Sequence, residues 1–86
     1  MNYLVEYEPE ALSDLKKLTQ VVRERIITKI SWLAENFDQI TPQPLTADLS
    51  GFYKLRVGDY RVIYEFNQEE RRIFIDRIGH RREVYN

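Results

Sequence analysis

The sequence predicts an α+β fold, with a helix hairpin packed on one face of a small, mainly antiparallel sheet in the order βααβββ. Three observations carry that expectation. Tyr3, Val5 and Tyr7 alternate with Leu4, Glu6 and Glu8, the period of a short strand. Val22, Ile26, Ile30, Leu33 and Phe37 recur at spacings of three and four, the stripe of an amphipathic helix. Two alternating runs, 52–57 and 60–66, flank Gly58 and Asp59, which read as a hairpin turn.

Each element then has a local reason. Pro9 suits the first position of a helix, where its missing N–H costs nothing. Ala11, Leu12, Leu15 and Leu18 follow on one helical face. Thr19 can cap a second helix, with its exit at Asn36 or Phe37, and the short link makes the pair a helix hairpin. Residues 38–50 contain Pro42 and Pro44 and show neither period, so they read as an ordered loop. Glycine first in the Gly58-Asp59 pair fits a type II′ turn. A polar turn at 67–70 leads to a last strand, Arg72 to Ile78, and the tail 80–86 is too polar to assign.

The hairpin can be read in register. With Val57 opposite Tyr60, the pairs Leu55/Val62 and Tyr53/Tyr64 share an apolar face that meets the helices. Tyr53, Tyr60, Tyr64 and Phe66 belong to the core on this reading. The opposite, open face carries Phe52, Lys54 and Arg56 against Glu65, Ile63 and Arg61.

Bulk properties narrow the function. The 86 residues make one domain, 1–86, and 43% hydrophobic with 31% charged residues describes a folded globule. The absence of cysteine excludes a disulfide scaffold and a thiolate zinc site, and fits a reducing, cytoplasmic setting. A single histidine argues against a His-rich metal site. The N-terminal run lacks a basic n-region and is broken by acids, so no signal peptide is expected, and no stretch reaches transmembrane length.

Charge is distributed unevenly. Net charge is −1, yet residues 1–50 hold five Lys/Arg against eight Asp/Glu, and residues 51–86 hold eight against six. Within the sheet half, the register sets Arg56 directly across from Arg61, with Lys54 beside them. Like charges opposed across a ladder are destabilising. Their concentration points to an anionic ligand on that face, and RNA phosphate is the expected one.

The segment FYKLRVGDYRVIY (52–64), followed by IGHRREVY (78–85), closely resembles the RelE branch of the RelE/ParE toxin superfamily. The helix hairpin and its spacing from the first strand are similar too, so the resemblance covers essentially the whole chain. The hairpin segment is shared with gyrase-directed ParE-like members; His80-Arg81 with Tyr85 four residues beyond the arginine is more selective for RelE. The resemblance implies a RelE-like microbial RNase fold and a type II toxin, an mRNA interferase that cuts messenger RNA in the ribosomal A site. It implies attack by the RNA 2′-hydroxyl on the adjacent phosphate, with no metal and no cofactor. The implied partners are a cognate antitoxin, the ribosome and its mRNA, with DNA contacted only indirectly through the antitoxin. Alternatives are a ParE-like DNA gyrase inhibitor and a catalytically inactive antitoxin-binding member.

Lys54, Arg61, Arg81 and Tyr85 occupy positions matching the family's functional residues. Arg61 suits phosphate stabilisation, because a guanidinium keeps its charge and grips two oxygens. Lys54 serves either as a base, aided by repulsion from its arginine neighbours, or as a phosphate anchor. Arg81 suits stabilisation of the leaving oxygen; Tyr85 suits stacking on a base or proton transfer, and otherwise packs back on the sheet as a C-terminal anchor. Arg56 either holds the RNA backbone or pairs with an antitoxin carboxylate, and Arg82 is a candidate substrate contact, otherwise a solvated tail residue. His80 can titrate near neutrality, but alternation points it away from Arg81, which equally suits packing or hydrogen bonding. Some members carry a second lysine where this chain has Phe52, so the division of proton-transfer roles stays open. Trp32, off the helix stripe, either joins Val21 in an exposed patch for the antitoxin or covers the edge of the first helix.

Overall fold

Alternation makes the first strand, β1 (Leu4–Tyr7), an edge strand whose Tyr3 flank is buried and whose Leu4 is exposed. The computed structural model describes residues 2–45, 51–80 and Arg82. After β1 come α1 (Pro9–Lys16) and α2 (Gln20–Glu35), then a short 3₁₀ turn at Phe37–Gln39. The sheet continues with β2 (Gln43–Pro44), β3 (Tyr53–Val57), β4 (Tyr60–Asn67) and β5 (Arg72–His80). Spatial order is β1-β5-β4-β3-β2, with β1 parallel to β5 and every other pair antiparallel. A parallel pair needs a long crossover, and the helix hairpin supplies it. The expected α+β layering is what the chain adopts.

Pro9 stands at the start of α1, and Thr19 Oγ1 accepts from Val22 N at 3.4 Å to cap α2. Asn36 closes α2, its backbone N and its Nδ2 both donating to Trp32 O. The α2 stripe of Ile26, Ile30 and Leu33 packs on Val62, Tyr64, Ile73, Ile75 and Ile78, all essentially sealed from solvent. Each such side chain contributes about 1.5–3 kcal/mol on burial. Phe37 joins Tyr3 at 4.6 Å and Phe66 at 4.8 Å between ring centroids, and Tyr53 stacks on Tyr64 at 5.9 Å. Among the described residues, no helix is long and apolar enough to cross a membrane.

Three expectations need correction. The loop 38–50 contains β2, where Gln43 and Pro44 pair with Lys54 and Tyr53. Proline is tolerated there because an edge strand needs no donor on its outer side. Leu12 is 47% exposed, while Asp14 is buried beside Ala11 and Leu15. Leu12 lies a full 100° step from Ala11 and so off the core face. The last strand also runs two residues further than expected, to His80.

Asp14 explains its own burial. β1 stops pairing with β5 at Ile75, so the β5 edge beyond would present an unpaired amide. Asp14 Oδ2 accepts from Ile78 N at 2.8 Å and from Arg77 Nε at 2.9 Å. One carboxylate thus fastens α1 to the end of the sheet.

Candidate functional site: a cationic hairpin on the sheet

Gly58 sets the turn that builds the site. Its φ of +60 is the left-handed value that the first position of a type II′ turn requires. The resulting register is Val57↔Tyr60, Arg56↔Arg61, Leu55↔Val62, Lys54↔Ile63 and Tyr53↔Tyr64. Val62 and Tyr64 belong to the helix-covered core, so alternation puts Arg61 and Ile63 on the far face. That face is not uniformly open: Arg61 is only 8% exposed and Ile63 6%. Arg61 Nη1 reaches Tyr60 O at 3.4 Å. Across β5, Arg61 lies opposite Gly79, which brings no side chain to the shared face.

Arg56 is exposed and donates through Nε to Gly58 O at 3.3 Å, which holds its guanidinium near the turn. Lys54 is half-buried, and with Arg56 it lines a groove of about 240 Å³ beside Gln43 and Lys29. The structure therefore brings Lys54, Arg56 and Arg61 together on adjoining strands. His80 sits at the end of β5 opposite Tyr60, with ring centroids 5.8 Å apart. Its Nδ1 accepts from Arg82 N at 3.3 Å, so His80 makes both a packing and a hydrogen-bond contact. Arg82 is exposed. Arg81 and Tyr85 lie outside the described residues.

An acidic counterpart lies farther along the same sheet. The β4–β5 register shifts at Ile63/Tyr64, making Asp76 the extra residue of a bulge. Its Oδ2 is buried with no hydrogen-bond partner. Burial first, then a hydrogen bond and repulsion from Glu65, with smaller effects of Glu8 and Glu10, push the Asp76 carboxyl up to about 7. Burial and nearby Tyr53 push the Tyr64 phenol up to about 12, as expected of a core tyrosine. Sequence reasoning missed Asp14 and Asp76. The signals were an acid inside an apolar helix stripe and an isoleucine spacing that changes from two, at 73 and 75, to three, at 78.

Comparison with known proteins places this geometry. A family model described as the ParE toxin of type II toxin–antitoxin systems matches residues 5–85. The chain is 27% identical over 85 residues to Toxin RelG of Mycobacterium tuberculosis, covering 99% of this chain and 98% of that protein. Its fold is similar to the crystal structure of the toxin–antitoxin complex RelBE2 from Mycobacterium tuberculosis (TM-score 0.80, 26% identity, 94% of this chain and 100% of that one). The isolated E. coli RelE toxin is also similar (TM-score 0.75, 28% identity, 96% and 90% covered). The chain belongs to the ParE toxin family of type II toxin–antitoxin systems, and its sequence and fold are similar to those of RelE-type toxins.

Proposed function

We propose that this toxin is a ribosome-dependent endoribonuclease that cuts mRNA in the A site and is neutralised by a cognate antitoxin. The observation that carries the reading is the cross-strand pairing of Arg56 with Arg61, next to Lys54. In the proposed reaction the ribose 2′-hydroxyl attacks the adjacent phosphorus. A new 2′-O–P bond forms, the P–O5′ bond breaks, and the products end in a 2′,3′-cyclic phosphate and a 5′-hydroxyl. The 2′-hydroxyl proton leaves to a base and the departing oxygen gains one, so the reaction is balanced without a metal.

Arg61 stabilises the pentavalent phosphorane, since its guanidinium stays charged and presents paired donors. Lys54 assists proton transfer or anchors the phosphate, and Arg56 holds the backbone. Arg81 stabilises the leaving oxygen, while Tyr85 stacks on a base and bends the strand toward in-line attack. His80 and Arg82 contact the substrate at the end of β5. The ribosome supplies substrate orientation that so small a site lacks.

The family model's ParE description favours a second reading, a gyrase inhibitor that cuts no RNA. Mapping transcript 5′ ends within minutes of induction separates the two. Cuts phased to codons are expected; intact translated mRNA with inhibited DNA supercoiling would select the gyrase reading instead.

A further inference from the structure

The sheet face that carries the cationic hairpin also carries a row of a different chemistry. One step beyond β3 the ladder sets Phe52 opposite Glu65, and Glu65 in turn pairs with Phe74 of β5. A carboxylate thus stands between two aromatic rings on the side of the sheet away from the helices. Both phenylalanines lie outside the helix-covered core, and both are half-exposed, as is Glu65. Ile63, 6% exposed, closes the floor between this row and Arg61. Burying a phenylalanine contributes about 1.5–3 kcal/mol, so two left half-exposed on one small sheet face mark a contact surface.

The row has the makings of a nucleobase subsite. Aromatic rings presented on a sheet face stack on unpaired bases, each worth about 1–3 kcal/mol. An ionised carboxylate only accepts hydrogen bonds, and its two oxygens match two adjacent N–H donors. Guanine offers such a pair at N1 and N2. Adenine and cytosine offer an amino group beside a ring acceptor, and uracil offers one N–H between two carbonyls. The Asp76 side chain, from the bulge, hydrogen-bonds Glu65, and Glu6 at the end of the row is engaged by Arg72. Burial, then Glu65, raises the Asp76 carboxyl to about 7, so below that pH Asp76 supplies the hydrogen of their bond and Glu65 accepts it. Rows on one face repeat about every 7 Å along the strands. Lys54 therefore lies one row from Glu65 and Arg61 two rows. One nucleotide spans that interval, with its phosphate at the cations and its base over the aromatic row, while the carboxylates repel a phosphate from the base's place.

We infer that Phe52, Glu65 and Phe74 form a base-reading subsite, in which a guanine beside the scissile phosphate stacks on the rings and donates from N1 and N2 to the Glu65 carboxylate. The inference rests on the ribonuclease reading above and adds which base the reaction selects. Phosphate chemistry stays with the guanidinium groups, and Glu65 contributes selectivity.

The test is single-turnover cleavage on ribosomes programmed with mRNAs that carry guanine, inosine, adenine, cytosine or uracil at each A-site position in turn. Wild type, Glu65→Gln and Phe74→Leu are compared, with thermal melts confirming that each variant folds. At one position the wild type should cut guanine fastest, and at least about tenfold faster than inosine, which lacks the N2 donor. Glu65→Gln, with one side-chain carbonyl oxygen, should cut guanine and inosine at rates within about twofold of each other. Phe74→Leu should slow cleavage of every codon about tenfold at subsaturating protein and keep the preference for guanine. A wild type that treats guanine and inosine alike would overturn the subsite and leave the ribonuclease reading standing. So would a Glu65→Gln protein that keeps the preference, or a Phe74→Leu protein with wild-type rates. No cleavage of any mRNA by the wild type would sink the ribonuclease reading together with this inference.

Discussion

Two ends of one sheet concentrate like charges, and they relieve the strain in different ways. At the bulge, burial first, then a hydrogen bond and repulsion from Glu65 with Glu8 and Glu10 nearby, push the Asp76 carboxyl up to about 7, so it keeps a proton that an ordinary carboxyl releases. At the hairpin, Arg56 and Arg61 sit directly across the ladder with Lys54 adjacent. A guanidinium cannot lose its proton in a protein. The acidic end can therefore take up a proton at Asp76, whereas the two guanidiniums of the basic end keep their charge. That contrast is the physical reason to place phosphate chemistry at the hairpin rather than at the carboxylates, although the Asp76 carboxyl is pushed up to about 7.

The largest expected effect tests the proposed phosphate chemistry at two residues outside the described ones. Arg81→Ala and Tyr85→Ala should each abolish cleavage of A-site mRNA while the circular dichroism spectrum and melting temperature stay as in the wild type. Retention of wild-type cleavage by both would remove these residues from the site. Next in size is a change that leaves both charge clusters alone. Asp14→Ala strips the partner from Ile78 N and Arg77 and should lower stability by about 1–3 kcal/mol in urea unfolding. An unchanged midpoint would mean that the α1–β5 fastening contributes nothing.

The acidic end offers a pH signature. Asp76 has a raised folded-state pKa, so the folded chain holds a proton that the unfolded chain has already released. Its contribution to stability is fully present below the ordinary carboxyl range and is lost as pH rises through about 7. Asp76→Asn should flatten that slope, raising the melting temperature relative to wild type at pH 8 more than at pH 5. Equal shifts at both pH values would contradict the proton-sharing account. The smallest effect separates the two ends most cleanly. Arg56→Ala removes one member of the opposed pair and should stabilise the fold by about 0.2–1 kcal/mol while weakening RNA cleavage. A destabilised variant would show that the pair is not repulsive in the folded chain.

The hairpin was legible in the sequence because its turn and its alternation agree: Gly58 fixes the turn, and Val57, Leu55 and Tyr53 meet Tyr60, Val62 and Tyr64 as apolar pairs. That register by itself sets Arg56 opposite Arg61. β2 was not legible, since two residues carry no period and one is proline. Asp76 escaped because a bulge breaks the strand period it sits in, so Ile78 rather than Arg77 turns inward after Ile75. Asp14 escaped because only the end of β1, a tertiary feature, creates the amide it accepts from. Burial of Arg61 was likewise unreadable, because alternation assigns a face and not what covers it.

The claim at the centre is that a fixed guanidinium on β4 carries the phosphate chemistry. Single-turnover cleavage on programmed ribosomes, comparing wild type with Arg61→Gln, addresses it most directly. The account predicts 2′,3′-cyclic phosphate ends from the wild type and a rate lower by about 10²–10³-fold for the variant, the usual effect of removing one preorganised donor. Equal rates for the two proteins, or no cleavage by the wild type, would contradict it.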